Sequence, residues 1–378
     1  MTPHLLDTTM FFTPTSGGVR RYLLAKHDWL ARRASVTHTL LVPGATTGGT
    51  VGDIVEFASP LIPFGAGYRF PVRLRALRRL IATLEPDLIE AGDPYPMGWQ
   101  AARVAAKLAV PAVAFCHSDL AALLGSRFGR TAGRACANLL RSFYARFDLV
   151  LAPSRLVAGR LEDAGVERVA VQPLGVDADI FRPGRGSRSL RGSLGLAPRT
   201  RLLVFAGRLA PEKNLGDLVA MVDLLGSPYH LLIIGGPVGK RPSPRVTVLP
   251  YQREPTRLAA WLGAADVVVH AGRCETFGLV ALEGMACGKP VVAYEAGALP
   301  EIVDDSVGAL AADEGPRALA AGVASVFDRD RAALGAAARR RVLAGYTWDR
   351  ALTGELALYA RLLSRPTLLH EPSAQPAW

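Results

Sequence analysis

Two cationic side chains follow a glycine turn in the second half of the chain. An apolar run, Leu202–Ala206, ends at Gly207, and Arg208 and Lys213 follow before a helical pattern that begins near Asn214. Cations at the start of a helix suit a diphosphate, because free N–H groups and the helix dipole add to their positive charge. The same spacing is also typical of two surface cations in a solvated turn. The residues alone leave both interpretations open.

Two glutamates follow another apolar run, Val267–His270, with seven residues between them. Glu275 lies in a turn, and Glu283 lies inside a helix that is predicted to begin near Phe277 or Gly278. Ionised carboxylates accept hydrogen bonds bidentately and therefore suit the paired hydroxyls of a sugar or ribose. The alternative is one acid favoured by the helix dipole and one solvated glutamate. His270 alternates with the valines before it, which indicates packing.

The first half offers weaker candidates. Gly17 and Gly18 open a predicted helix, Arg20–Ala31, where the missing Cβ atoms would let the backbone approach a phosphate or an acceptor. An ordinary turn explains the pair equally well. His117 ends an apolar run, a place where a histidine is often only a structural hydrogen-bonding residue.

Alternating short apolar runs and longer helical patterns predict βα units with parallel sheets. Ligands of such sheets bind at the carboxyl ends of the strands, where all the candidates above lie. The predicted strands are His38–Gly44, Asp53–Ala58, Asp87–Gly92, Ala112–His117, Asp148–Pro153, Val169–Pro173, Leu202–Gly207, His230–Gly236, Val246–Pro250, Asp266–Ala271 and Pro290–Glu295.

Size and composition indicate a two-domain globular protein. The chain has 378 residues, half of them apolar, and single cores stop growing near about 250–300 residues. Arg182–Thr200 is rich in Arg, Gly, Ser and Pro and reads as a linker, whereas Thr347–Arg365 reads as an amphipathic helix followed by a frayed end. Four cysteines without paired spacing favour reduced thiols in a cytoplasmic protein.

The net charge of +11 is spread over both halves and favours an anionic partner such as phosphate, nucleic acid or a membrane surface. The even spread, and the lack of aromatic residues interleaved with arginines, argue against nucleic acid. Five arginines between Arg69 and Arg79 alternate with apolar residues, as in a helix that lies on an anionic membrane. The solvated face of a packed helix is the alternative.

Taken together, these motifs resemble the retaining glycosyltransferases of the GT-B fold, the GT4-type enzymes also called glycosyl transferases group 1. The resemblance is specific in the second half and scattered in the first. The segments that carry it are Gly207–Lys213, Glu275–Glu283, Pro173–Asp177 with Phe181–Pro183, Asp148–Ser154 and Tyr346–Asp349.

The resemblance implies two Rossmann-like, doubly wound α/β domains that face a central cleft. Residues 1–180 would bind the acceptor, residues 181–345 the nucleotide sugar, and residues 346–378 would form a crossover helix and tail. It also implies site roles. Arg208 and Lys213 would hold the diphosphate, Glu275 a sugar hydroxyl, and Glu283 the ribose. The donor site would include Gly17, Gly18, Gly207, Phe277, Gly278 and Leu279, and His117 would contact the donor sugar.

The implied activity is transfer of a hexose of mannose or glucose type, with retention, from a UDP- or GDP-sugar to a sugar or lipid-linked hydroxyl acceptor. A glycogen-synthase-like polymerase, a sugar-nucleotide epimerase and a nucleic-acid-binding protein are the alternatives. No essential metal is expected, because cations already neutralise the diphosphate. The Asp-x-Asp pairs at Asp177–Asp179 and Asp328–Asp330 therefore read as structural. Pro250–Arg253 lies where the base is expected but does not identify it.

Overall fold

The computed structural model describes residues 2–13, 16–48, 50–51, 53–63, 67–184, 186, 188–236 and 242–369. The chain divides into two compact units. The first comprises Met1–Pro173 and Trp348–Trp378, and the second comprises Leu174–Thr347. The chain thus leaves the first unit once and returns to it at the C-terminal helix. The predicted boundary at residue 180 lies seven positions beyond Pro173.

The first unit contains an eight-stranded sheet in the order β3-β4-β2-β1-β5-β6-β7-β8. Every pairing is parallel except that of β3 with β4. The strands are β1 (His4–Thr8), β2 (Thr37–Gly44), β3 (Thr50–Val51), β4 (Ile54–Ala58), β5 (Leu88–Ala91), β6 (Ala112–Phe115), β7 (Leu149–Ala152) and β8 (Val169–Val171).

The second unit contains a six-stranded parallel sheet in the order β11-β10-β9-β12-β13-β14. Its strands are β9 (Arg201–Ala206), β10 (Tyr229–Ile234), β11 (Val246–Leu249), β12 (Val267–His270), β13 (Val291–Tyr294) and β14 (Gly308–Ala311). The strand order reverses between β1 and β5 in the first sheet and between β9 and β12 in the second. Both sheets are therefore doubly wound, as predicted.

Helices cover both sheets, and each unit contains a cluster of buried apolar side chains from its strands and helices. The helices are α1 (Gly18–Arg33), α2 (Leu74–Thr83), α3 (Pro96–Leu108), α4 (Leu120–Phe128), α5 (Arg130–Tyr144), α6 (Arg155–Asp163), α7 (Arg188–Ser193), α8 (Leu215–Leu225), α9 (Pro255–Ala264), α10 (Leu279–Ala286), α11 (Pro316–Phe327), α12 (Arg331–Gly345) and α13 (Trp348–Leu362). Within the described residues, none is both long enough and apolar enough to cross a bilayer.

The eleven predicted strands are all present, with ends that differ by one or two residues. The prediction omitted β1, β3 and β14. Two other expectations need correction. The linker prediction for Arg182–Thr200 missed α7, and residues 185 and 187 of that stretch lie outside the described part. The basic stretch is helical only from Leu74, so Arg69 and Arg73 precede α2. Of the last dozen residues, which the sequence predicts to be frayed, those from 370 onward lie outside the described residues.

A buried charge cluster joins α13 to the first sheet. The ammonium of Lys26 in α1 lies 2.8 Å from Asp7 Oδ2 in β1, 3.1 Å from Glu90 Oε2 in β5 and 2.8 Å from Glu355 Oε1 in α13. All four side chains are at most 2% exposed. The Tyr359 hydroxyl accepts from Lys26 at 2.8 Å and contacts Glu90. One cation therefore holds three carboxylates that come from distant parts of the chain.

Burial and charge set the protonation of this cluster. Burial raises the pKa of Glu90 to about 8, and the neighbouring carboxylates add to the shift. Burial works against the Lys26 charge, but the carboxylates of Asp7, Glu355 and Glu90 raise the pKa of Lys26 above its usual value. Although burial again opposes it, Lys26 and His38 lower the pKa of Asp7. Glu90 therefore takes up a proton at higher pH than an ordinary glutamate does, while Lys26 and Asp7 are ionised at neutral pH.

Candidate active site

The reversal of strand order in the second sheet brings the ends of β9 and β12 side by side. The chain leaves β9 through Gly207, whose φ of 153° favours glycine. A Cβ atom on Gly235, at the end of β10, would lie only 2.1 Å from the Gly207 carbonyl oxygen. Glycines at both positions thus let the loop after β9 fold back across the sheet edge.

The two predicted cations in the loop after β9 differ in their exposure to solvent. Lys213 ends a short 3-10 helix, Pro211–Lys213, and its side chain is 20% exposed. Arg208 is 76% exposed, and its guanidinium lies 2.9 Å from Glu212 Oε1. Arg208 is therefore a solvent-facing cation, whereas Lys213 points inward beneath it.

Lys213 and Glu275, which come from different loops, contact each other directly. Glu275 follows β12, and its side chain is 15% exposed. Burial lowers the pKa of Lys213, and the Glu212 carboxylate opposes that shift. The contact with Glu275 favours the charged ammonium as well. The structure thus brings together the side chains that the sequence assigned to diphosphate and sugar.

His270 is a part of this site that the sequence analysis missed, since it predicted only packing. The ring is buried, and its Nε2 lies 3.2 Å from Glu275 Oε1. Its Nδ1 accepts a hydrogen bond from the Gly272 N–H at 3.0 Å, so a neutral ring carries its proton on Nε2, toward Glu275. Burial and the Lys213 charge lower the pKa of His270 to about 3. His270 is therefore neutral and orients Glu275.

Backbone contacts fix the two loops. The Asn214 side chain donates to the Ala271 carbonyl at 2.9 Å and so ties the loop after β9 to the loop after β12. The Ala298 N–H donates to the Glu275 carbonyl at 2.9 Å. A Cβ on Gly297, whose φ is 60°, would lie 2.7 Å from that carbonyl oxygen. The Glu275 backbone is therefore held from the loop after β13, and Gly297 is required for the close approach.

The helix that carries the second glutamate begins at Leu279, with Gly278 as its left-handed N-cap at φ 93°. A Cβ on Gly278 would lie 2.7 Å from the Leu299 side chain, so glycine is needed there. Phe277 is buried, and Glu283 is 2% exposed within α10. Glu283 is thus enclosed by the unit. Its predicted contact with a ribose stays a prediction.

The candidate residues of the first unit lie at the carboxyl edge of its own sheet. Gly17 is the exposed N-cap of α1, which begins at Gly18, and a Cβ on Gly17 would meet no other atom. His117 follows β6 and stacks on Phe115, with ring centroids 4.2 Å apart and planes 7° apart. The Tyr22 ring packs on His117 at 5.2 Å.

His117 is a neutral ring. Burial lowers its pKa to about 3, and the Lys26 charge adds to the shift. It therefore offers a hydrogen-bond donor and an acceptor at physiological pH, and no positive charge.

The two Asp-x-Asp pairs have structural uses. Asp177 Oδ1 accepts from the backbone N–H of Ile180 at 2.8 Å, and Asp330 caps α12 by accepting from Ala332 and Ala333. Among the residues that the structure describes, no three His, Cys, Asp or Glu side chains are grouped so that they could hold a metal ion.

Comparisons with known proteins cover both units. Residues 16–180 match the family model for glycosyltransferase family 4, and residues 200–329 match the model for glycosyl transferases group 1. A GDP-mannose-dependent alpha-(1-6)-phosphatidylinositol dimannoside mannosyltransferase of Mycobacterium tuberculosis is 31% identical over 376 residues, which cover 93% of this chain and 95% of the relative. A GDP-mannose-dependent alpha-mannosyltransferase of Mycolicibacterium smegmatis is 33% identical over 374 residues, covering 94% and 97%.

A solved structure shows the same fold. Sucrose-phosphate synthase from Thermosynechococcus elongatus superposes with a TM-score of 0.80 over 96% of this chain and 99% of the solved chain, at 20% identity.

Proposed function

The chain belongs to the glycosyl transferase group 1 family, the GT4 glycosyltransferases of the GT-B fold, and we propose that it transfers mannose from GDP-mannose to a phosphatidylinositol mannoside. The observation that carries the proposal is the match to the Mycobacterium tuberculosis enzyme through both units. A match confined to the second unit would support a proposal for the donor but not for the acceptor. Since the first unit matches as well, the acceptor named for that relative is the acceptor we propose here.

The second unit provides the groups that the donor needs. Lys213 and Arg208 lie at the carboxyl edge of the sheet, where they would neutralise the diphosphate of GDP-mannose. Glu275, oriented by His270, would accept hydrogen bonds from hydroxyls of mannose, and Glu283 would hold the ribose. The N–H groups of Phe277, Gly278 and Leu279 lie at the start of α10 and would meet the sugar or phosphate.

In the proposed reaction, the bond between the anomeric carbon and the diphosphate oxygen breaks, and its electron pair stays with GDP. The acceptor hydroxyl oxygen bonds to the same carbon from the same face, and its proton passes to the departing diphosphate. Negative charge therefore grows on the leaving group, where preplaced cations stabilise it most. Lys213 meets that charge with little reorganisation, because Glu275 already fixes its ammonium.

From the first unit we propose that Gly17, Gly18 and His117 serve the donor sugar. The contacts of His117 with Phe115, on which it stacks, and with Tyr22 support this role, since they hold the ring in one orientation. A neutral ring can donate to one hydroxyl and accept from another. His117→Phe should therefore lower transfer while leaving the fold intact.

We also propose that α2 and the segment before it meet an anionic membrane. Arg73, Arg75 and Arg79 are exposed, and Phe70 and Val72 beside them are 41% and 61% exposed. In contrast, Arg78 donates to Gln100 Oε1 at 3.2 Å, so it belongs to the packing of α2 on α3. Exposed arginines next to exposed apolar side chains suit the surface of an anionic bilayer.

The donor is tested by incubating the purified protein with GDP-mannose, UDP-glucose and ADP-glucose and measuring release of the nucleotide. We expect release from GDP-mannose, and a loss of about a hundredfold or more in Lys213→Ala and Arg208→Ala, as for removal of one group that stabilises developing charge. Arg257→Ala is the matched control, because Arg257 is an exposed arginine paired with a nearby glutamate, Glu254. Release from UDP-glucose alone, or activity of both variants near that of the wild type, would contradict the proposal.

A further inference from the structure

A cavity of about 280 Å³ lies within the first unit. Side chains from α4, α5, α6 and the end of β6 line it, namely Ala121 and Ala122, Ala137 and Leu140, Val157 and Leu161, and Cys116. Its volume corresponds to about nine water molecules in the liquid. That volume accommodates a length of alkyl chain.

The lining is mostly apolar. Most of its wall consists of aliphatic side chains, and Ser118 and the Cys116 thiol complete it. Burial raises the pKa of Cys116 to about 11, so the thiol stays protonated. The charged groups of the lining are Asp119 and Arg160, and they neutralise each other at 2.5 Å. Asp119 also caps α4 by accepting from the Ala122 N–H at 2.9 Å.

The helix over the cavity is apolar without being buried. Six of the nine residues of α4 are Leu, Ala or Phe, yet the helix contains no buried residue. Leu124 is 36% exposed, and Phe128 at the turn into α5 is 64% exposed. Apolar surface thus continues from the cavity wall to the outside of the unit, which is unusual for a helix that only covers a core.

The surroundings favour an anionic amphiphile. From Leu120 to Phe147 the chain contains five arginines and no acidic residue. Arg127, Arg130 and Arg134 are exposed on the same helical hairpin as Phe128. Cations beside exposed apolar side chains complement a negatively charged head group that carries an alkyl chain.

We propose that this cavity binds an acyl chain of the lipid acceptor, an inference that rests on the proposed function. The Cys116–Ser118 segment connects the cavity with His117, because Cys116 and Ser118 line the cavity and His117 lies between them. An acyl chain seated there lies beside the segment that follows β6, at the carboxyl edge of the first sheet. The substrate class is therefore an acylated, anionic glycolipid.

Direct binding is measured with cis-parinaric acid, a straight-chain fatty acid that fluoresces in apolar surroundings, and by displacing it with saturated fatty acids of increasing length below their micellar concentrations. Each buried methylene strengthens binding about fourfold, so affinity should rise with length and level off once the cavity is full. Ala122→Phe and Ala137→Phe fill the cavity and should abolish binding. Ala135→Phe is the matched control, because Ala135 is exposed on α5 and does not line the cavity.

A circular dichroism spectrum and a cooperative urea unfolding transition like those of the wild type show that each variant is folded. The same variants are then assayed with an acylated phosphatidylinositol mannoside and with its deacylated, water-soluble form. We expect Ala122→Phe and Ala137→Phe to raise KM for the acylated acceptor at least tenfold and to leave the deacylated one unchanged.

Transfer to the acylated acceptor that is unaffected by both variants would overturn the inference and leave the proposed function standing. If fatty acid binding depends on chain length and both variants abolish it, but the protein transfers no mannose, the cavity would still be a lipid-binding site. The proposed function would then be refuted. Binding of fatty acid that persists in both variants would place the site elsewhere and refute the inference.

Discussion

Replacing Lys26 with Met removes the cation at the centre of three buried carboxylates. The ammonium lies 2.8 Å from both Asp7 and Glu355. At an effective dielectric constant near 20, each such pair interacts by about 6 kcal/mol. Desolvation of the buried ammonium offsets most of that energy. We therefore expect Lys26→Met to lower the free energy of unfolding by about 3–5 kcal/mol, as when a buried ion pair loses one partner.

The loss of stability caused by Lys26→Met should increase with pH. Without Lys26, the remaining carboxylates are more easily protonated in the folded state than in the unfolded state. A group whose pKa is higher in the folded state than in the unfolded state contributes less to stability as the pH rises above its unfolded pKa. The destabilisation should therefore be smaller near pH 5 than near pH 8.

The assay is urea unfolding of both forms, followed by fluorescence and circular dichroism. Lys107→Met is the matched control, since Lys107 is an exposed lysine in α3 and surface substitutions usually change stability by less than about 0.5 kcal/mol. Lys26→Met combined with Glu355→Gln should recover part of the loss, because one uncompensated charge is gone. A loss below about 1 kcal/mol, or the same loss at both pH values, would refute the view that Lys26 holds the cluster together.

Three further predictions follow from the same groups and surfaces. Since burial raises the pKa of Glu90 to about 8 from 4.5, the wild type loses stability as pH rises between these values. The melting temperature of Glu90→Gln relative to wild type should therefore be higher near pH 8 than near pH 5, and a constant difference would contradict this. EDTA should leave mannosyl transfer largely unchanged, because fixed cations neutralise the diphosphate; loss restored by Mg²⁺ or Mn²⁺ would show a metal requirement. Changing Arg73, Arg75 and Arg79 to Gln should release the protein from anionic vesicles in a co-sedimentation assay without altering nucleotide release, whereas equal sedimentation would reduce the surface to a solvated face.

The positions of Lys213 and Glu275 could be predicted because each follows a strand that its apolar run identifies. The contact between them could not, since it depends on how two loops bend. Asn214, at φ 48°, gives the loop after β9 a left-handed turn, and Gly297 in the loop after β13 lets the backbone approach the Glu275 carbonyl closely. His270 was assigned to packing because its alternation with valines indicates a strand. Only the structure shows that its ring reaches Glu275.

The strands that the sequence analysis omitted and the buried charge cluster show a second limit of prediction from sequence. The sequence of β14, Gly-Ala-Leu-Ala, has little intrinsic preference for a strand. It forms a strand because it pairs with β13. Likewise, Lys26 and Glu90 resemble ordinary surface residues in the sequence. They are buried because Glu355, far along the chain, returns on α13 to complete the cluster. Contacts between residues so far apart leave no periodic signal in the sequence.

The central claim is that this chain moves mannose from GDP-mannose to a phosphatidylinositol mannoside. The most direct measurement incubates the purified protein with radiolabelled GDP-mannose and that glycolipid in anionic vesicles, and follows label in the extracted lipid together with released GDP. We predict equal amounts of labelled glycolipid and GDP from the wild type, and neither from Lys213→Ala. Label that stays in water-soluble products, or labelled lipid obtained from UDP-glucose and not from GDP-mannose, would contradict the account.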